Sequence, residues 1–312
     1  MKTSLYLFAA VAAFALSSAP RADAQETPLW DLYNDVFAKA KYIDLTHAFE
    51  PVQPVWPGFG QAKFKPAIAG NDLGDYASVG DEFTYEDHGF IATAYELTTD
   101  QYGTQLDPPA HWNEYGATIS DLPASYTLRP LVVINISDKV AADEGYHLQV
   151  ADVEAWESEH GRIPRGSVVF VRSDWHKRWD EVDRFAQKPF PGVGLEALKF
   201  LHLERGIMLH GHEPLDTDTT PTLEGEYWLM HNDFAQAEGV ANLDQVPEKG
   251  ALVAIGFAKP LGGAGGYARY VAIAPPDWPF GVTVSEAPGA PLPRYSRPLR
   301  RDENGVLRPS DG

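Results

Sequence analysis

Residues 101–112 read QYGTQLDPPAHW, and the conformation of this stretch decides what the chain can do. A helix would place Gln101 and Gln105 on one face, but Gly103 and the Pro108-Pro109 pair oppose a helix here. In an extended segment side chains alternate with period two, so Gln101, Gly103, Gln105 and Asp107 point the same way. Three oxygen-bearing groups then converge on one side, and Gly103 leaves room between them for an ion or a substrate. Taken alone, this spacing is ordinary for an exposed strand face.

Working outward, FIATAYELTT (90–99) is β-branched and aromatic with partial alternation, which predicts a strand that delivers the chain to Gln101. LVVINIS (131–137) and SVVFVRSDW (167–175) are short apolar runs whose Val and Ile content predicts buried strands. Between them VADVEAWESEHGRIP (150–164) reads as a helix ending near Gly161, and VGLEALKFLHLERGI (193–207) as another closed by Gly206. GIMLHGHEPLDTD (206–218) precedes a helical segment over 224–239 and late strands at ALVAIGFAKP (251–260) and ARYVAIAP (268–275). Helices alternating with buried strands predict an α/β fold. Near the start, residues 25–41 space Leu29, Leu32, Tyr33, Val36 and Phe37 as an amphipathic helix expected to lie on the domain; YIDLTHAF (42–49) then runs into a Pro- and Gly-rich loop, PVQPVWPGFG (51–60), that carries Trp56.

The 312 residues are 44% hydrophobic, enough for one large core or two small ones. Residues 1–24 combine Lys2, an apolar run from Leu5 to Leu16 and a small-residue ending at Ala22-Asp23-Ala24, the pattern of a secretory signal peptide cleaved before Gln25. The run is shorter than the ~20 residues a membrane span needs, which favours a leader over an anchor. A single domain over 25–285 and an extended or disordered tail over 286–312, rich in Pro and Arg, complete the expected organisation. The absence of cysteine removes disulfides and thiolate ligands, so any metal must be held by His, carboxylate, amide or water. Formal net charge is −19; the leader carries Lys2, Arg21 and Asp23, a net +1, leaving the remainder near −20. Such a surface repels nucleic acid and anionic lipid. These features predict a periplasmic or secreted protein with a small-molecule partner, no nucleic-acid partner and no membrane association.

With YIDLTHAFEPVQPVWPG before it and the region from GIMLHGHEPLDTD to EGVANLDQV after it, QYGTQLDPPAHW resembles the cyclase-type metal-dependent hydrolases, a family that includes bacterial kynurenine formamidases and isatin hydrolases. The resemblance runs from about residue 42 to 275. The family's signature is His-x-Gly-Thr-His-x-Asp-x-Pro-x-His; Gly103, Thr104, Asp107, Pro109 and His111 match it, while both leading histidines are glutamine, at 101 and 105. The resemblance implies a mixed, barrel-like sheet flanked by helices, the swivelling β/β/α-like cyclase fold, assembled as a homodimer or higher. It places the metal ligands on Gln101, Gln105 and Asp107, and the catalytic general base on His111. The family also has a His and a Glu twelve residues apart, the Glu shortly before an Asn-Leu pair. In EYWLMHNDFAQAEGVANL, Glu238 before Asn242-Leu243 fits that Glu and Glu226 stands where the second His would be.

Three positions at which relatives carry imidazole therefore hold two amides and a carboxylate. All are oxygen donors, which favours a retuned metal site over a lost one. An oxygen-only set prefers Mn, Mg or Ca over Zn, with Mn the first choice. The competing reading draws imidazole from His210, His212 or His231. Trp56, Phe59 and His212 are the candidate substrate contacts, with Trp112, Tyr95 and Trp228 as further aromatic candidates. The implied reaction is hydrolysis of a non-peptide C–N bond in a small, cyclic or aryl amide, or of a lactone, with His111 moving protons and Asp107 helping to orient water. Two rivals stand beside it: a non-catalytic ligand- or metal-binding protein, and an interaction module using the tail. No Gly-x-Ser-x-Gly elbow occurs, which disfavours a serine hydrolase.

Overall fold

In the computed structural model, which describes residues 28–284, 292 and 294–310, eight strands form one sheet and seven of them close into a barrel. The chain divides after Ala38 into a short N-terminal unit and the unit that holds the sheet. The N-terminal unit contains a helix, Pro28–Asp35, none of whose residues is buried. The expected leader at 1–24 lies outside the described residues.

In chain order the sheet strands are β1 (Lys41–Asp44), β2 (Gln105–Asp107), β3 (Leu128–Asn135), β4 (Val168–Arg172), β5 (Leu209–His212), β6 (Ala235–Glu238), β7 (Ala251–Phe257) and β8 (Gly266–Ala274). β3, β4, β5 and β6 are parallel neighbours. β6 continues antiparallel to β2, and β7 joins β3 to β8 through antiparallel pairs. One edge of β8 is shared: Gly266 and Tyr267 take β2, closing the ring, while Val271–Ala274 take β1. The parallel stretch needs crossovers, supplied by helices α1 (Val150–His160), α2 (Leu195–Lys199, continued by a wider turn to Arg205) and α3 (Glu224–His231). Gly206, at φ 65, closes the second crossover in the left-handed conformation expected of a helix end.

Period two along β3 and β4 sorts their apolar residues between two cores. Leu131, Val133, Val168 and Phe170 join Leu106, Leu209, Ala237, Val253 and Tyr270 in one cluster. Val132, Ile134, Val169 and Val171 join Val153 and Trp156 of α1, Leu198 of α2 and Leu229 of α3 in the other. Because the second core contains the helices, the first is the enclosed interior of the barrel. Burial on both faces is why these strands read as unbroken apolar runs.

Two expectations are corrected here. The helix predicted over 224–239 ends at His231, and Ala235–Glu238 is a fully buried strand. Asn232 and Asp233, the latter at φ 61, turn the chain out of the helix, and an acidic, amide-bearing strand lacks the β-branched signature. Part of the tail read as extended or disordered is a hairpin, Leu299–Arg301 with Leu307–Pro309. Arg301 donates to the carbonyl of Ala92 at 2.7 Å and Arg308 pairs with Glu50 at 2.9 Å, so its arginines are anchors. The strand expected over 90–99 is Thr93–Glu96, paired with Lys63–Pro66 outside the barrel.

Candidate active site

β2 and β6 lie side by side with Gln105 opposite Glu238 and Asp107 opposite Gln236. The alternation that sends Leu106 and Ala237 into the barrel interior sends these four polar side chains onto its outer face. There α3 covers them and contributes Glu226. Asp107, Glu226 and Glu238 are all buried, and one carboxylate oxygen of each lies within 4.8 Å of the others.

Two carboxamides lie among these acids. Gln105 Nε2 donates to Glu238 Oε2 at 2.9 Å and Asp107 Oδ2 at 3.2 Å. Gln236 Nε2 donates to Glu238 Oε1 at 2.9 Å, Glu226 Oε1 at 3.0 Å and Asp107 Oδ2 at 3.3 Å. Trp112 Nε1 donates to Glu226 Oε1 at 3.1 Å, and His111 Nε2 stands 3.7 Å from the same oxygen. Glu226 Oε2 is buried without a hydrogen-bond partner.

Burial is the first cause that raises the pKa of all three acids, Glu226 and Glu238 well above the usual carboxylate range. Asp107 and Asp216 add repulsion at both glutamates, whereas His111 and the two amides oppose the rise at Asp107. Asp216, from the loop after β5, is pushed up to about 7 by burial, against the hydrogen bond it accepts from Trp56 Nε1 at 3.2 Å. Concentrated negative charge with two imidazoles nearby, His111 and His212, is an environment that takes up a cation or protons.

Glu226 and Glu238 line a cavity of about 200 Å³ with Trp56, Phe59, Gln101, His111, Trp112 and Asp216, and Asp107 lies buried beside them. That volume is below the roughly 300–1,000 Å³ usual for drug-sized ligands and suits a small molecule. A larger groove of about 510 Å³ beside His47, Phe49 and Tyr267 lacks any such group of acids.

The sequence-predicted residues separate into those the fold brings together and those it does not. Gln101, Gln105, Asp107, His111, Glu226, Glu238, Trp56 and Phe59 share the cavity or lie beside it. Gln105 Nε2 faces the acids, as Gln236 Nε2 does, and Gln101 Nε2 is buried without a partner. Gly103, at φ 80, turns the chain and also lines the cavity, and a side chain there would press on Gln53 and Phe49. His212, expected to touch substrate, is 1% exposed and sits behind Glu238, with 3.7 Å between Nε2 and Oε1. His210 shares that strand face but pairs with His202 at 3.3 Å. His231 stacks on Tyr227 at the end of α3, Tyr95 packs on Phe64, and Trp228 belongs to the helix-side core.

Sequence reasoning missed Gln236, Asp216 and Thr217. Gln236 could have been found from its place two residues before Glu238, had the segment been read as a strand.

A hard divalent ion fits this donor set. Three buried carboxylates converge, one Glu226 oxygen lacks a partner, and no described lysine or arginine forms an ion pair with them.

The family profile described as "Putative cyclase" matches residues 43–219. The isatin hydrolase of Roseibium aggregatum is 28% identical over 255 residues, spanning 76% of this chain and 93% of that protein. Isatin hydrolase A from Labrenzia aggregata, solved bound to benzyl benzoate, superposes with a TM-score of 0.68 at 26% identity, over 80% of this chain and 100% of that one. Isatin hydrolase A from Ralstonia solanacearum gives 0.66 at 26% identity, over 83% of this chain and 100% of its own.

Proposed function

We propose that this chain, which belongs to the cyclase family, is an exported metal-dependent hydrolase that cleaves the C–N bond of a small cyclic or aryl amide. The observation that carries this reading is the buried group Asp107, Glu226 and Glu238 at the base of an aromatic-walled cavity, with His111 at its rim. Similarity to isatin hydrolases supports the choice of substrate class.

Asp107, Glu226 and Glu238 would hold the ion, and their hard oxygens favour manganese over zinc. When bound, a divalent ion there polarises the amide carbonyl and makes water a nucleophile near neutral pH. His111, with its side chain 26% exposed, is reachable from the cavity while its Nε2 stays near Glu226. It takes a proton as the water oxygen bonds to the carbonyl carbon, and returns it to the amide nitrogen as the C–N bond breaks. The products are a carboxylic acid and an amine, joined in one molecule if the amide was cyclic. Trp56 and Phe59, with ring centroids 5.4 Å apart, form an apolar wall against which a flat substrate can lie.

Export rests on the leader pattern of residues 1–24. Assembly as a homodimer or higher is proposed with it and is checked by light scattering.

The test is elemental analysis of the purified protein before and after incubation with Mn, Mg, Ca and Zn, followed by acid release from cyclic amides, aryl amides and lactones. Stoichiometric metal and metal-dependent acid release support the hydrolase. A ligand that raises Tm without being consumed would replace it with the binding-protein reading.

A further inference from the structure

Gln236 joins two hydrogen-bond systems, and counting protons in the second decides which end of its amide meets the acids. On one side the amide contacts Glu226, Glu238 and Asp107. On the other its Oε1 accepts from Thr217 Oγ1, which lies 3.1 Å from His212 Nε2, while His212 Nδ1 lies 3.2 Å from the carbonyl oxygen of Pro214. Gln236, Thr217 and His212 are all within 1% of full burial.

A carbonyl oxygen only accepts, so the contact with Pro214 places a proton on His212 Nδ1. A neutral imidazole then offers a lone pair at Nε2, and the single hydroxyl proton of Thr217 goes to it. The Thr217 oxygen is left as an acceptor facing Gln236, and the matching end of the amide is its NH2. The two ends of a carboxamide are nearly equal in size, so exchanging them is a half-turn of the last torsion. The amide oxygen then points at Asp107, Glu226 and Glu238, an arrangement that is repulsive unless a cation lies among them.

We infer that the chain Pro214–His212–Thr217 sets the Gln236 carboxamide with its oxygen toward the three carboxylates when a divalent cation is held there, making Gln236 a fourth protein oxygen for that ion. The inference rests on the metal-binding reading above and adds a residue to it. The opposite polarity, with Thr217 donating to Gln236 Oε1 and the amide hydrogens facing the acids as the structure has them, puts the imidazole proton on Nε2 and gives up the hydrogen bond to Pro214. It belongs to the protein without the ion, where amide hydrogens offset the carboxylate charge. The two states differ by one amide half-turn, one hydroxyl rotation and one imidazole tautomer.

The experiment uses the full chain. Mn²⁺ affinity is measured by titration calorimetry for wild type, Thr217→Val, Gln236→Leu and the double variant. The His212 tautomer is read from ring ¹⁵N couplings in wild type saturated with diamagnetic Mg²⁺. Expected are a loss of Mn²⁺ affinity of about tenfold or more in Thr217→Val, at least as large a loss in Gln236→Leu, no further loss in the double variant, and an Nδ1–H imidazole. Affinity within twofold of wild type in Thr217→Val, losses that multiply, or an Nε2–H imidazole in the Mg²⁺ state would each overturn the inference while leaving the metal site intact. Wild type that binds neither ion overturns both. Should Thr217→Val not fold, the tautomer measurement decides alone.

Discussion

Two buried acidic clusters flank the end of β5, one beside His212 and one around Glu213, and they are satisfied in opposite ways. Glu213, fully buried, accepts Ser173 Oγ at 2.8 Å and the backbone N–H groups of Ser173 and His176 at 3.3 Å each, and its Oε1 lies 3.1 Å from His176 Nδ1. Asp244 completes that cluster with His176 Nε2 at 3.4 Å and Lys177 Nζ at 3.1 Å. Every acid there has a cation or a fixed donor. The acids on the outer face of β2 and β6 have two amides, one indole and two histidines, His111 and His212, each 3.7 Å away. Buried charge alone is therefore a poor sign of function, since both clusters have it; charge left without a cation separates them.

The comparison breaks most sharply at Asp107. Asp107→Ala is expected to abolish both bound metal and turnover, a fall in kcat of about a thousandfold or more, because it removes one of three converging carboxylates. Elemental analysis and the acid-release assay read the two effects separately, and an active variant would sink the assignment. Next in size, Glu213→Ala should destabilise by about 3–5 kcal/mol, as it strips the buried partner from His176 Nδ1 and leaves the ring only Asp244, and leaves the Ser173 donors unpaired. Urea unfolding checks this, and a cost near zero would mean the cluster is not the structural half of the pair. Glu226→Gln should act with the opposite sign, stabilising the metal-free protein by about 1–2 kcal/mol while weakening metal binding, because a neutral isostere relieves uncompensated repulsion. Should Glu226→Gln destabilise the metal-free protein as Glu213→Ala does, the distinction between the clusters fails.

The parallel strands were legible because burial on both faces writes itself as apolar runs such as LVVINIS, and the glycines closing the crossovers were legible because a left-handed turn restricts the residue. Asp107 and His111 were picked out by their match to the family signature within residues 101–112, since the spacing alone is ordinary. What stayed hidden has one physical root: tertiary contacts, not local propensity, fix polar strands. AQAE at 235–238 carries no strand signal, yet it is held between β5 and β2, so Gln236 went unnoticed. For the same reason period two was extended too far upstream: it aligns Gln105 with Asp107, but Gly103 at φ 80 ends the extended geometry before Gln101. His210 and His212 share a strand face as their spacing implies, and nothing in the spacing reveals that Glu238 and Gln236 stand between that face and the cavity.

The smallest expected effect is a pH dependence confined to the satisfied cluster. Burial by itself lowers the pKa of His176, but the hydrogen bond to Glu213 and the charges of Glu213, Asp244 and Asp174 outweigh it and leave the imidazole raised. A histidine raised on folding binds its proton more tightly in the native state than in the unfolded chain. Its contribution to stability is therefore fully present below the unfolded value of about 6.5 and is lost as pH rises through the higher native value. Urea midpoints of wild type and His176→Asn, measured from pH 5.5 to 9, should be furthest apart at the acid end and converge toward the alkaline end. Parallel curves would mean that His176 is held neutral, and the cluster would then owe its stability to the Ser173 and backbone donors around Glu213 instead of to an ion pair.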